Sequence, residues 1–239
     1  VALAQAQADE ASPESAGSVG LRLAYQLERA LEAQVVVVAR ELADTLVRDP
    51  RATGPRVRVI GVSGKGDRRL LDTYLPEGSA LRDVALGHRG DGVLEGDPLG
   101  GGVADRRHHP NAVVLRQIRS AGEVVGAVAI WPPGGRPPAG AAEAELAAAL
   151  DHAGPRLYRA RKADQQRNRA TTDQLTGLLN RRGLEEVMSR QGEAWTGSLI
   201  YAALDHFKAV NDTLGHPAGD AALAHFSKII QGQVRGVDA

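Results

Sequence analysis

One helical run near the middle of the chain constrains its architecture more than any other feature. Across residues 139–169, Leu146, Leu150, Ala153, Leu157 and Ala160 recur at alternating spacings of four and three. That is the period of a coiled-coil seam, and it predicts a connecting helix over 139–172 between two separate domains. Gly154-Pro155 falls inside the run. Proline removes a helical N–H and clashes with the preceding turn at a cost of ~3 kcal/mol. Two helical pieces are therefore expected, the second opening near Pro155, with a hinge between them. The apolar seam predicts a parallel homodimer through this helix. Arg156, Arg159, Arg161, Lys162, Arg167 and Arg169 predict a solvated basic face. Tyr158 is the one aromatic residue among them, so a base-stacking groove for nucleic acid is not expected.

Upstream, a flexible tail is expected over 1–17 and an α+β domain over 18–138. Leu23, Leu27, Leu31 and Val35 recur every four residues, which predicts a helix from Leu21 to Val47. Within it, the β-branched run Val35-Val36-Val37-Val38 argues for a strand, but the flanking Ala, Leu and Glu residues favour helix. Arg56 to Ser63 alternates as a strand does, and Leu70 to Leu75 is expected to pair with it. Ser79 to Leu86 predicts a short helix with Ser79 as N-cap. Gly87 to Asp105 predicts a long loop. Strands at Ala112 to Ile118 and Glu123 to Trp131 are expected to form a hairpin turned at Ser120, Ala121 and Gly122, and Pro132 to Pro138 ends the sheet. This element order resembles a GAF domain, and a PAS-like module is the competing reading. Either is a sensor and implies a small-molecule ligand, which the sequence does not name.

Lys plus Arg and Asp plus Glu number 29 each, so no global field draws the chain to nucleic acid or a membrane. The absence of cysteine excludes disulfides, thiolate metal sites and a thioether-linked chromophore. No apolar run approaches the ~20 residues of a membrane helix. A cytoplasmic setting is expected. His108-His109 and Gly100 to Gly102 read as loop surface, since adjacent histidines point apart and no phosphate-loop Lys follows the glycines.

Two stretches near the end carry more specific information. The first is Asp173-Gln174-Leu175-Thr176-Gly177-Leu178-Leu179-Asn180-Arg181-Arg182. The second runs Leu204-Asp205-His206-Phe207-Lys208-Ala209-Val210-Asn211-Asp212-Thr213-Leu214-Gly215-His216-Pro217-Ala218-Gly219-Asp220. Between them, Ser198 to Leu204 reads as a buried strand. Thr213 to Ala218 reads as a turn, and Gly219 to Val234 as a helix with Leu223, Phe226, Ile230 and Val234 on one face. In order and separation the two stretches resemble the opening blocks of a GGDEF domain, the diguanylate cyclase family, over residues 173–239. The fold so implied is α+β throughout: a GAF-like sensor, a signalling helix, then the N-terminal part of a palm-like nucleotidyl cyclase.

The resemblance implies GTP as substrate, cyclic di-GMP as product and Mg²⁺ as cofactor, with two domains face to face. It places Asn211 and Asp220 at the guanine edge and Phe207 and Lys208 at the phosphates. Leu204 would offer a backbone carbonyl to a metal. Arg235 and Asp238 match the inhibitory product site. The chain departs from the family at one decisive position: the strand-end pattern Asp-x-Asp-x-Phe-Lys reads Ala203-Leu204-Asp205-His206-Phe207-Lys208 here. Ala203 stands where the family has a metal-binding aspartate, and the family's signature loop lies outside these residues. A sensor-coupled diguanylate cyclase without activity is expected, the alternative being a non-catalytic regulator that binds nucleotide or a partner. Asp205 is not expected to replace the missing ligand. His206 and His216 are read as loop-ordering groups.

Overall fold

The structure is a computed structural model that describes residues 14–42, 55–100, 112–191 and 200–233. The described residues form two compact units, the first ending at Gln165 and the second beginning at Gln166. No helix among them is long and apolar enough to cross a membrane.

Unit 1 is built on a five-stranded antiparallel sheet, ordered β2-β1-β5-β4-β3. Helix α1 (Ala16–Leu31) leads into β1 (Gln34–Arg40) and β2 (Val57–Val62). Helix α2 (Ala80–Leu86) and β3 (Gly92–Leu94) precede the hairpin β4 (Val113–Ser120) and β5 (Glu123–Trp131). Helix α3 (Ala141–Thr171) follows. The hairpin turns through Ala121 and Gly122, both at positive φ (48° and 85°), the primed geometry that matches strand twist.

The expected helix from Leu21 to Val47 is instead a helix and a strand. It opens at Ala16, inside the stretch expected to be a tail, and Ser15 and Ser18 form a reciprocal capping box. Glu32 ends it in a left-handed conformation. The valine run then becomes β1, the middle of the sheet. Val35 and Val37 face α1 and α3, while Val36 and Val38 face α2. A strand covered on both faces is apolar throughout, so it shows no alternation. That is why the four-residue spacing, which Val35 happens to continue, pointed to helix.

Leu70 to Leu75 is a 3₁₀ turn, Arg68–Leu70, and then a short pairing with β2. The partner was expected correctly. Val59 N–H donates to Thr73 O at 2.9 Å and Leu75 N–H to Val57 O at 2.9 Å. The region expected as a long loop holds the three-residue strand β3.

The connecting run differs most from expectation. Helix α3 is one unbroken helix through Pro155. Gly154 explains the placement: a Cβ there would lie 1.8 Å from the Arg119 carbonyl oxygen of β4. The Gly-Pro pair thus lets the helix press against sheet backbone. Asp151, whose carbonyl Pro155 cannot bond, is solvent-exposed, so water can satisfy it. The seam is not free for a second chain either. Leu146, Leu150, Ala153, Leu157 and Ala160 are all buried in unit 1's own core with Leu23, Leu27, Val128 and Ile130. The seam residues expected to join two chains are therefore used within unit 1 itself. Arg161 is not a solvated group. It is 8% exposed and its Nη1 donates to Val125 O at 3.0 Å. Burial, and then the charge of Arg40, pushes its pKa down to about 10. Polar contacts also tie α1 and the residues just ahead of it to α3: Ala16 N–H donates to Asp164 Oδ2 at 2.8 Å, and Arg156 Nε donates to Glu14 at 3.2 Å.

Where α1 crosses β2, two glycines meet. A Cβ on Gly61 would lie 2.2 Å from Gly20 O, and one on Gly20 would lie 2.6 Å from Ile60 O. Both obstacles are backbone, so no side chain can swing aside. Gly61→Ala is expected to destabilise unit 1 by about 3 kcal/mol, the upper end for overpacking. The melting temperature should then fall by roughly 6–12 °C. A thermal melt followed by circular dichroism checks this.

Candidate functional site

Unit 2 opens with the last turn of α3 and a compact turn over Thr172 to Asn180. Asp173 Oδ1 accepts from the N–H of Leu175 at 3.2 Å and of Thr176 at 2.9 Å, and from Thr176 Oγ1 at 2.8 Å. Gly177 N–H returns to Asp173 O at 2.8 Å, and Asp173 N–H donates to Leu178 O at 2.8 Å. Asn180 joins two helices. Its Nδ2 donates to Ala170 O at 3.0 Å, satisfying a carbonyl at the end of α3. Its Oδ1 accepts from Gly183 N–H at 3.0 Å, capping α4 (Arg181–Gln191). The first of the two sequence blocks thus has a structural role, with Asp173, Thr176 and Asn180 as the residues that close the turn.

The hydrogen bonds from Thr176, backbone first and hydroxyl second, hold Asp173 below the ordinary carboxylate range. A depressed carboxylate stabilises the folded state above its unfolded pKa, ~3.9, and that contribution is lost as pH falls through the folded value. Unit 2 of the unmodified chain should therefore loosen below about pH 4. Asp173→Asn should remove that part of the acid dependence. Melting profiles between neutral and acidic pH compare the two.

The second block forms a helical hairpin. Helix α5 (Phe207–Leu214) and helix α6 (His216–Gln233) meet at Gly215, which has φ 82°. The turn expected over Thr213 to Ala218 is thus narrowed to one residue. His206 precedes α5 in a left-handed conformation with φ 56°. Phe207 and Lys208 are the first two residues of α5, where backbone N–H groups have no helical acceptor and the helix dipole is positive. Lys208 and Asp220 are exposed, and Asn211 is half-buried. On α6, Leu223, Phe226 and Ile230 are half-buried as the amphipathic pattern predicts. Val234 lies outside the described residues.

The hairpin brings two of the expected site residues together. Asn211 Oδ1 and the Phe207 ring edge both abut Gly219, whose chain neighbour is Asp220. Sequence reasoning gave Gly219 no role. Its signal was a glycine inside a helix, where Ala is better by ~1 kcal/mol.

Of the run expected as a buried strand, residues 200–204 do not form one. Residues 200–204 lie outside any helix or strand, with Ile200 87% and Tyr201 93% exposed. A strand is stabilised by its neighbours, and among the described residues unit 2 contains only the isolated bridge Thr172↔Leu179. Residues 198 and 199, and the expected inhibitory pair Arg235 and Asp238, lie outside the described residues. Ala203 and Leu204 sit on this exposed stretch. The Ala203 side chain brings no donor atom, and no group of three His, Asp or Glu able to hold a metal occurs among the described residues. Where the resemblance implies a metal carboxylate at position 203, the alanine side chain does not fit a bound cation.

The model of the diguanylate cyclase GGDEF domain matches residues 170–239. Residues 170–239 are thus similar to the GGDEF family. The GGDEF segment is 46% identical over 79 residues to diguanylate cyclase DgcP of Pseudomonas aeruginosa, covering 30% of this chain and 11% of that protein. It is 41% identical over 68 residues to cyclic di-GMP phosphodiesterase PdeB of Shewanella oneidensis, covering 28% of this chain and 8% of that protein. The chain thus spans about a tenth of these relatives. The GAF-B domain of DevS from Mycobacterium smegmatis aligns with 64% of this chain and 99% of its own, at 16% identity and a TM-score of 0.44.

Proposed function

We propose that the GGDEF segment recognises guanine nucleotide and does not condense GTP to cyclic di-GMP in this chain. The observation that carries the reading is a split within one motif: Phe207, Lys208, Asn211 and Asp220 are kept while the metal carboxylate is replaced by Ala203. The hairpin supports the retained half. A carboxylate at Asp220 and a carboxamide at Asn211 suit the guanine edge, because N1–H and the 2-amino group are donors and adenine lacks that pair. The opening N–H groups of α5 and the Lys208 ammonium suit phosphate. The GAF-like unit is the sensor of this arrangement, and its ligand is a small molecule. In this role the chain is a nucleotide-binding regulator of diguanylate cyclase descent.

The test is equilibrium binding of GTP and ATP to the full chain. GTP is expected to bind more tightly. Asp220→Ala should weaken GTP by tenfold or more, about the worth of a hydrogen bond to a charged group, and leave ATP unchanged. Equal affinity for the two nucleotides in the unmodified chain would overturn the reading.

A further inference from the structure

Gly219 is buried at the start of α6, against the inner side of α5. A Cβ placed on it would lie 1.9 Å from Asn211 Oδ1 and 2.9 Å from Asn211 Cγ. The same Cβ would come within 3.2 Å of Phe207 Cζ. The Asn211 carboxamide therefore occupies the volume that any side chain at this position would need. Gly219 has no positive φ to require glycine, so backbone conformation does not explain it. Helix propensity argues against it by ~1 kcal/mol relative to Ala. What remains is the contact with Asn211.

We propose that Gly219 is a positioning residue for nucleotide selection: its bare Cα seats the Asn211 carboxamide between α5 and α6. This rests on the reading that Asn211 faces guanine. An added methyl forces the carboxamide to rotate about χ1 or χ2, and the Phe207 ring restricts where it can go. The rotation turns the oxygen and the amide group together, so the pattern of donor and acceptor offered to a base changes. Affinity for phosphate, which α5's first N–H groups and Lys208 would supply, is untouched by that rotation.

The experiment measures GTP and ATP affinity for four forms of the full chain: unmodified, Gly219→Ala, Asn211→Ala, and the two combined. Gly219→Ala should weaken GTP about tenfold, the loss of one good hydrogen bond in a binding site, with ATP unchanged. In the Asn211→Ala background the same substitution should cost nothing further, because the displaced group is gone. A Gly219→Ala variant that keeps the full preference for GTP overturns the proposal. Should Gly219→Ala fail to fold, the double variant is expected to regain the fold, and its failure to do so counts equally against the proposal. No preference for GTP in the unmodified chain is a different outcome, which removes the guanine reading itself.

Discussion

Leu146→Asp is expected to unfold unit 1 and not to dissociate a dimer. Leu146 is 1% exposed and packs in the core formed by α1, α3 and the sheet. Truncating a buried leucine costs about 2–5 kcal/mol. Placing a carboxylate in the same apolar site adds a desolvation penalty that no described neighbour offsets. A domain's whole stability is about 5–15 kcal/mol, so most of it is consumed. Leu157→Asp should act in the same way, since Leu157 is equally buried. A seam that joined two chains would behave differently: the variant would keep its cooperative melt and lose half its mass by light scattering. Measuring both on one sample separates the two cases.

The second large effect concerns Ala203. In a polypeptide that continues through the family's signature loop, Ala203→Asp is expected to raise cyclic di-GMP formation at least ~100-fold. A methyl group cannot ligate a cation, and a carboxylate at this position restores a hard oxygen donor of the kind Mg²⁺ selects. Asp205, two residues on, is exposed and is not expected to substitute. Product assay by mass spectrometry reads the gain, and Ala203→Asn, which adds bulk without charge, serves as the control. Equal rates for the Asp and Asn variants would mean that the position does not hold metal.

Much of unit 1 was legible because its elements announce themselves locally. Glu123 to Trp131 is bounded by a turn and a proline, and the structure places β5 on those same residues. What failed was any feature decided by distant neighbours. Val35 to Val38 carries no alternation because the sheet's centre is covered twice. The four-three seam of α3 is a correct reading of one apolar face, but periodicity does not say whether that face meets another chain or its own sheet. Pro155 was read as a break because the rule is local, whereas the helix continues through it, packed in the core on either side and close to the Arg119 backbone at Gly154.

The candidate site divides in a similar way. Its residues were visible in the sequence because they form a dense motif, and the hairpin brings Phe207 and Asn211 together at Gly219. Gly219 itself was passed over, since a glycine's contribution is the room it leaves, and that shows only when α5 and α6 are both in place. Ser198 to Leu204 has the composition of a strand, but its described residues 200–204 have no strand partner, which composition does not supply.

The most direct measurement is product formation by the chain as sequenced, run beside nucleotide binding on the same preparation. With GTP and Mg²⁺ in excess, the expected result is bound GTP and no cyclic di-GMP. Catalytic turnover to cyclic di-GMP would show that Ala203 does not remove an essential ligand, and would contradict the assignment of this GGDEF segment as a nucleotide-binding, non-condensing unit.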